Sequence, residues 1–168
     1  MPDEYEASIL FVCMGNICRS PTGEGVFRHY VAGQGYASRV FIDSAGTIGY
    51  HSGNPADPRM QTAVARRGYR LESIARQVSR DDIDTFDLVV AMDEDNLTDL
   101  EYLAGGSRPH LRMLGSFLPD ARDARLGRPV PDPYYGGDAG FEAVIDMIEA
   151  ACPAMFEQVL DIINNRRP

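Results

Sequence analysis

An apolar run that leads through a short loop into a helix start is the feature that most constrains this chain. Ile9-Leu10-Phe11-Val12 has the length and composition of a buried strand. The next residues read Cys-Met-Gly-Asn-Ile-Cys-Arg-Ser-Pro, and Ser20 followed by Pro21 is typical of a helix N-cap with proline at the first helical position. Such a loop directs backbone N–H groups and the positive end of a helix dipole at one point. The sequence therefore predicts an anion site here.

The side chains of this loop supply chemistry suited to a phosphate. Arg19 carries a planar, permanently charged fork that can hold two phosphate oxygens. A cysteine in such electropositive surroundings is activated, so Cys13 is predicted to be a thiolate nucleophile. Gly15 permits close backbone approach, and Asn16 is among the few non-glycine residues that accept a left-handed conformation. The competing interpretation is a buried cysteine at a strand end and an arginine on the surface.

Strand-like and helix-like patterns alternate along the rest of the chain. This alternation predicts an α/β fold: a single-domain, open, doubly wound sheet of about four parallel strands with helices on both faces. The first loop would lie at the carboxyl edge of that sheet, where such sheets bind ligands. A long surface loop is expected at 119–131. The predicted strands are 8–12, 39–43, 87–92 and 111–114, and the predicted helices are 21–34, 56–68, 95–104 and 140–165.

Composition narrows the classes of protein. The 168 residues suit one domain, and 44% hydrophobic with 24% charged residues is ordinary for a globular protein. A net charge of −9 argues against a nucleic-acid partner. Three cysteines are too few for a disulfide framework. We expect no membrane association and a cytoplasmic location, because no apolar stretch could span a bilayer and the first residues are acidic.

Asp132 is the candidate general acid. Cleavage of a phosphate ester by a thiolate expels an alkoxide or phenoxide, and a positioned carboxylic acid can protonate that oxygen. Pro133 biases Asp132 to an extended backbone and so limits where the carboxyl group can point. On the residues alone, Asp-Pro is more often simply a turn opener.

The chain resembles the low-molecular-weight protein tyrosine phosphatases, and features downstream of the first loop are closer to bacterial members. The likeness begins at Cys13–Pro21 and runs in family order to about residue 160. The further matching segments are Asp43–Thr47, Tyr50-His51, Asp57–Arg59, Ala75–Gln77, Phe86-Asp87, Met92-Asp93 and Asp132–Gly136.

The resemblance implies a phosphotyrosine phosphatase with a phosphocysteine intermediate. It implies that Cys13 attacks phosphorus, that Arg19 holds the phosphate oxygens, and that Asp132 protonates the leaving oxygen and then activates water, with no cofactor or metal. Partners would be phosphotyrosine-containing proteins, with inorganic phosphate or vanadate as inhibitors. The implied substrate-binding residues are Met14, Gly15, Asn16, Ile17, Cys18, Ser20, Tyr50, Tyr134 and Tyr135.

The chain departs from relatives at two positions near the loop. Some eukaryotic relatives have a histidine at Ser73 that supports the phosphate loop, so Ser20 and Asn16 are expected to orient the loop here. Related arginine phosphatases have threonine where this chain has Ile17, and the hydrocarbon of isoleucine suits a phenyl ring better than a guanidinium group. We therefore expect phosphotyrosine to be preferred over phosphoarginine. Many relatives have tryptophan at Tyr50, which leaves the detailed substrate preference open.

Other functions and roles also remain open from the sequence. Arsenate reductases of similar fold need relay cysteines, for which Cys152 is a poor candidate. A phosphotyrosine-binding module would lack the nucleophile or the acid. A thiol switch formed by Cys13 and Cys18 is compatible with phosphatase activity. Structural roles are expected for Asp43, Asp57 and Asp93, the last as a helix cap, and surface or packing roles for His29, His51 and His110.

Overall fold

The computed structural model describes residues 4–134 and 136–166. Four parallel strands form one sheet in the order β2-β1-β3-β4. This confirms the predicted α/β sheet. The strands are β1 (Ala7–Cys13), β2 (Val40–Gly46), β3 (Leu88–Ala91) and β4 (Leu111–Met113). The helices are α1 (Arg19–Gly33), α2 (Pro58–Ala65), α3 (Arg80–Thr85), α4 (Glu94–Ala104) and α5 (Asp138–Arg166), with a 3₁₀ helix at Leu114–Phe117.

Helices cover both faces of the sheet, as predicted. Every residue of β1 is buried. Ile9, Phe11 and Cys13 lie in the apolar cluster that includes residues of α1, α2 and α5, whereas Leu10 and Val12 lie in a second cluster with residues of α3 and α4. Strand side chains alternate between faces, so a strand that is covered on both sides needs the continuous apolar run that the sequence contains.

The carboxyl end of β1 lies where the sheet changes winding direction. The chain passes from β1 to β2 on one side and returns to β3 on the other. Open α/β sheets bind ligands at this point. β2 extends to Gly46, beyond the predicted end at residue 43, because Gly46 still pairs with Cys13. A Cβ on Gly46 would lie 2.7 Å from the Met14 carbonyl oxygen, so the loop after β1 can pack here only against glycine.

The start of α1 differs from the prediction. The helix begins at Arg19, and its N-cap is Cys18, which makes no side-chain capping hydrogen bond. Ser20 is therefore not the N-cap. Its hydroxyl group turns towards Cys13 instead. Pro21 still lies in the first helical turn. Backbone N–H groups there have no intrahelical acceptor, so the N–H that proline lacks costs the helix no hydrogen bond.

Two short elements were not predicted, α3 and the 3₁₀ helix. α3 begins with a capping box in which Ser79 and Asp82 exchange hydrogen bonds with each other's backbone. The described residues between Leu118 and Gly137 form neither helix nor strand, in agreement with the predicted loop at 119–131. None of the helices in the described part of the chain is long and apolar enough to cross a membrane.

Candidate active site

Three chain segments meet around a cavity of about 350 Å³ at the carboxyl end of β1. The first is the phosphate loop, defined as residues 13–20. The second is the rim loop, residues 48–51, which follows β2. The third is the acid segment, residues 130–134. Cys13, Arg19 and Asp132 all line this cavity, so the fold brings together the three predicted catalytic side chains.

The predicted nucleophile lies at the end of a hydrogen-bond network. The Cys13 Sγ is 3.0 Å from the Ser20 Oγ. Asn16, whose φ is 57°, donates from its Nδ2 to the Ser20 Oγ at 2.8 Å and to the Ser44 Oγ at 3.0 Å. This confirms the predicted left-handed conformation of Asn16. The side chains of Asn16 and Ser20 do not line the cavity but lie beneath it, where they support the loop, and their contact with substrate stays a prediction.

Arg19 is held by acceptors on two other segments. Its Nη1 donates to the Asp93 Oδ2 at 2.6 Å and to the Val130 carbonyl oxygen at 3.0 Å. Burial acts to lower the pKa of Arg19, but the Cys13 sulfur and Asp93 outweigh burial and raise it. Asp93 also caps α4, as predicted, by accepting from the Asn96 N–H at 2.8 Å. Its pairing with Arg19 was not predicted.

Asp132 is an exposed residue of the acid segment, and its side chain faces the cavity. Its Oδ2 is 3.7 Å from the Arg19 Nη2. Its Oδ1 accepts a hydrogen bond from the Tyr134 N–H at 3.0 Å. The following residue, Pro133, is buried. The carboxyl group is therefore close to the Arg19 guanidinium group and open to solvent.

Aromatic side chains surround the mouth of the cavity. Tyr50 is 84% exposed, and its ring lies 4.9 Å from the His51 ring in an edge-to-face arrangement. The Tyr134 ring lies 6.5 Å from the His51 ring in a tilted arrangement. His51 also lines the cavity, so it does more than the surface or packing role that was expected for it. Ile48 also lines the cavity and was not predicted. Tyr135 lies outside the described residues.

Two aliphatic side chains and one glycine of the phosphate loop form the rest of the predicted substrate pocket. Met14, Gly15 and Ile17 line the cavity, as predicted. A Cβ on Gly15 would lie 2.9 Å from the His51 Cδ2. Glycine at this position therefore makes room for the rim loop to pack on the phosphate loop.

Cys18 is a buried thiol beside the nucleophile. Burial is the main cause that raises the pKa of Cys18 to about 12, and the negative charge of Asp57 adds to it. Asp57 caps α2 by accepting from the Arg59 N–H at 2.8 Å, in the structural role predicted for it. Cys18 is therefore protonated at neutral pH.

The phosphate loop is supported by the predicted residues Asn16 and Ser20 and also by Ser44 and Arg76, which were not predicted. The buried Ser73 Oγ has no hydrogen-bond partner among the described residues. The Arg76 N–H donates instead to the Asn16 Oδ1 at 3.0 Å. With the bonds of Asn16 to Ser20 and Ser44, this fixes both ends of the Asn16 amide. The loop is thus oriented without a histidine at residue 73.

The chain matches, over residues 8–163, the sequence profile of a family described as low molecular weight phosphotyrosine protein phosphatase. It belongs to that family. A putative low molecular weight protein-tyrosine-phosphatase of Synechocystis is 43% identical over 146 residues, which cover 86% of this chain and 90% of that protein. The crystal structure of YfkJ from Bacillus subtilis is 37% identical, with a TM-score of 0.83 and coverage of 96% of this chain and 97% of the other.

A phosphatase with a different named specificity is also similar. The crystal structure of a Drosophila arginine phosphatase is 30% identical, with a TM-score of 0.78 and coverage of 89% of this chain and 96% of the other. Membership makes this chain an enzyme of the protein-tyrosine-phosphatase class. In this low molecular weight phosphatase, the cavity that joins Cys13, Arg19 and Asp132 is the candidate active site.

Proposed function

We propose that this phosphatase hydrolyses phosphotyrosine in proteins through a phosphocysteine on Cys13. The observation that carries the proposal is one cavity that presents a cysteine sulfur, a buried arginine and an exposed carboxyl group. The Ser20 hydroxyl, 3.0 Å from the sulfur, can stabilise the thiolate by donating to it. The start of α1 adds its dipole at the same place.

In the first step, the Cys13 sulfur attacks phosphorus and the bond from phosphorus to the tyrosine oxygen breaks. Asp132 gives its proton to the departing oxygen. Arg19 and the loop N–H groups hold the other phosphate oxygens. Asp93 and Val130 use only the Nη1 of Arg19 among the described residues, so Nε and Nη2 are the donors for the phosphate.

In the second step, the Asp132 carboxylate takes a proton from water, whose oxygen attacks phosphorus. The bond from phosphorus to sulfur breaks, and Cys13 leaves as the thiolate. Inorganic phosphate is released from the same donors, so phosphate and vanadate are proposed to bind there as inhibitors. The exposure of Asp132 supports this step because water can reach its carboxyl group.

Selectivity for phosphotyrosine is proposed to come from the rim and from Ile17. Tyr50 and Tyr134 can lie along a phenyl ring, and Ile17 adds hydrocarbon to the same cavity. The likeness to the Drosophila arginine phosphatase makes phosphoarginine the second candidate substrate. A guanidinium group would be desolvated against Ile17 with no polar partner from that side chain.

Turnover of three phosphopeptides in a chelator-containing buffer tests the proposal. We expect the phosphotyrosine peptide to be hydrolysed much faster than the phosphoserine and phosphoarginine peptides. Ile17→Thr should shift the ratio towards phosphoarginine by about tenfold. Comparable wild-type rates on phosphotyrosine and phosphoarginine would contradict the substrate assignment and leave the chemistry of Cys13 intact.

We further propose a cytoplasmic location. Cys13, Cys18 and Cys152, the three cysteines of the chain, are all free thiols in the structure. Unpaired thiols are typical of proteins in reducing compartments. Fractionation of cells that express the protein tests this location, and recovery in the secreted fraction would contradict it.

A further inference from the structure

Glu24 is a buried carboxyl group that the proposed mechanism does not use. It lies on α1 and is only 5% exposed. Its Oε2 accepts a hydrogen bond from Arg28 at 3.0 Å, in an ion pair whose arginine is half exposed. Burial raises the pKa of Glu24, while the hydrogen bonds from Ser44 and Arg28 oppose that rise. A carboxylate so far from solvent requires partners that offset its desolvation.

The other oxygen of Glu24 begins a chain of hydrogen bonds that ends at the nucleophile. The Ser44 Oγ donates to the Glu24 Oε1 at 2.8 Å. The Asn16 Nδ2 donates to Ser44 at 3.0 Å and to the Ser20 Oγ at 2.8 Å. The Ser20 Oγ lies 3.0 Å from the Cys13 Sγ. All five residues are buried.

The direction of the first bond is decided by Glu24. An ionised carboxylate can only accept, so the single hydrogen of the Ser44 hydroxyl is committed to it. Ser44 can then only accept from Asn16. The Asn16 amide presents its N–H groups to this side because its Oδ1 already accepts from the Arg76 N–H.

The last bond follows from the same argument. Because Asn16 donates to Ser20, the hydrogen of the Ser20 hydroxyl is left to bind elsewhere. Its two acceptors are the Cys13 Sγ at 3.0 Å and the Ala45 carbonyl oxygen at 3.4 Å. The shorter contact is to the sulfur, and a thiolate is the stronger acceptor.

We propose that Glu24 is a positioning residue that, together with the Arg76 N–H, holds the direction of this hydrogen-bond chain so that Ser20 donates to the Cys13 thiolate. The proposal rests on the proposed function in one respect, that Cys13 is the nucleophile. Glu24 touches neither substrate nor sulfur and acts through Ser44 and Asn16. Loss of its acceptor frees the Ser44 hydroxyl to rotate, so the Asn16 amide loses a fixed acceptor and its orientation is set by the Arg76 N–H alone.

The test compares Glu24→Met, which removes the acceptor, with Glu24→Gln, whose amide oxygen can still accept from Ser44. Two rates are measured at neutral pH: alkylation of Cys13 by iodoacetate, followed by mass spectrometry, and kcat/KM on a phosphotyrosine peptide. Glu24→Met should lower both by about five- to tenfold, the size expected for one misdirected buried hydrogen bond. Glu24→Gln should restore most of the loss. Arg28→Lys, which keeps a positive charge beside Glu24 and the bond from Ser44 to Glu24, is the matched control and should stay within about twofold of wild type.

A double variant separates this role from simple packing. Ser44→Ala breaks the chain in its middle, so Glu24→Met added to Ser44→Ala should slow alkylation no further. The proposal would be overturned if the loss of alkylation rate in the double variant equalled the product of the losses in the two single variants. A wild-type alkylation rate in Glu24→Met would also overturn it. Where Glu24→Met does not fold, an unchanged alkylation rate in Ser44→Ala overturns it. Failure of the proposed function shows separately, as turnover that survives Cys13→Ser.

Discussion

The phosphate loop and the acid segment line the same cavity, but they are built in opposite ways. Cys13, Asn16 and Ser20 of the phosphate loop are at most 3% exposed and are joined by side-chain hydrogen bonds. Asp132 of the acid segment is exposed, and its carboxyl group accepts from the Tyr134 N–H within its own segment. The anion site is thus preorganised, whereas the acid can adjust to different leaving groups.

The acid segment is nevertheless fixed at both ends. The Val130 N–H donates to the Met92 carbonyl oxygen at 2.8 Å, and the Val130 carbonyl oxygen accepts from Arg19. The Arg59 Nη2 donates to the Tyr134 carbonyl oxygen at 3.0 Å. Asp132 lies between these attachments. Changes in the loop should therefore abolish chemistry, and changes in the segment should alter which substrates are handled well.

Cys13→Ser should have the largest effect. We expect turnover to fall at least about a thousandfold, because no thiolate remains to attack phosphorus. Binding of a phosphotyrosine peptide should persist, since Arg19 and the loop N–H groups are unchanged. Cys152→Ala, a change of a buried cysteine in α5, is the matched control and should retain activity. Residual turnover above about a thousandth of wild type would remove Cys13 from the role of nucleophile.

Asp132→Ala should have the second-largest effect on turnover. We expect a loss of about a hundredfold or more on phosphotyrosine and a much smaller loss on an aryl phosphate with an activated leaving group, which needs little protonation. Asp120→Asn is the control, because Asp120 lies in the loop before the acid segment and pairs with Arg128. Equal losses on both substrates would show that Asp132 positions the segment and is not the acid.

The buried thiol of Cys18 gives a prediction about redox chemistry in the loop. Peroxide should oxidise the Cys13 thiolate to a sulfenic acid, and Cys18 should attack that sulfur with loss of hydroxide to form a disulfide. Because the pKa of Cys18 is raised to about 12, closure should speed up about tenfold per pH unit between pH 6 and 9. Mass spectrometry after quenching measures closure. Recovery of Cys18→Ala by thiol as complete as that of wild type would contradict a protective role.

Arg59→Met should have the smallest effect. The change removes the hydrogen bond to the Tyr134 carbonyl oxygen and the ion pair with Asp57, while it keeps an unbranched side chain of similar length. We expect a two- to fivefold loss of kcat on phosphotyrosine, about the size of an exposed ion pair, and almost none on activated aryl phosphates. Arg66→Met, at the other end of α2, is the control. A larger loss on the activated substrate would show that Arg59 serves the phosphate loop instead.

Sequence reasoning predicted the fold where the signals are local. The strands β1 and β3 were found because each contains a continuous apolar run, but α3 was missed although Ser79 and Asp82 form a capping box. Helix α2 ends at Ala65, before the predicted residue 68, and Gly68 follows with a φ of 86°. The end of this helix depends on the backbone conformation of the turn, and the spacing of apolar residues carries no information about that conformation.

In the candidate site too, residues that are close together in the sequence could be predicted, whereas contacts between distant parts of the chain could not. Cys13 and Arg19 could be predicted because they share one contiguous loop. The pairing of Arg19 with Asp93 and the role of Ser44 below the loop could not, since each joins residues far apart in the chain and depends on strand register. From the residues alone Asp132 was a weak candidate for the acid, and the family resemblance gave the prediction most of its support. His51 had one signal, its position directly after Tyr50, but nothing in its residue type distinguished a cavity wall from a surface histidine.

Trapping of the intermediate in Asp132→Ala tests most directly the claim that the loop performs the attack and the acid segment serves the other steps. The variant is mixed with an activated aryl phosphate, quenched in acid within its first turnovers, and analysed by intact-mass and peptide mass spectrometry. We predict that one phosphoryl group accumulates on Cys13, because attack proceeds while hydrolysis lacks its base. Cys13→Ser should carry none. Burst release of the aryl alcohol with no phosphoryl group on Cys13, or with the group on another residue, would contradict the claim.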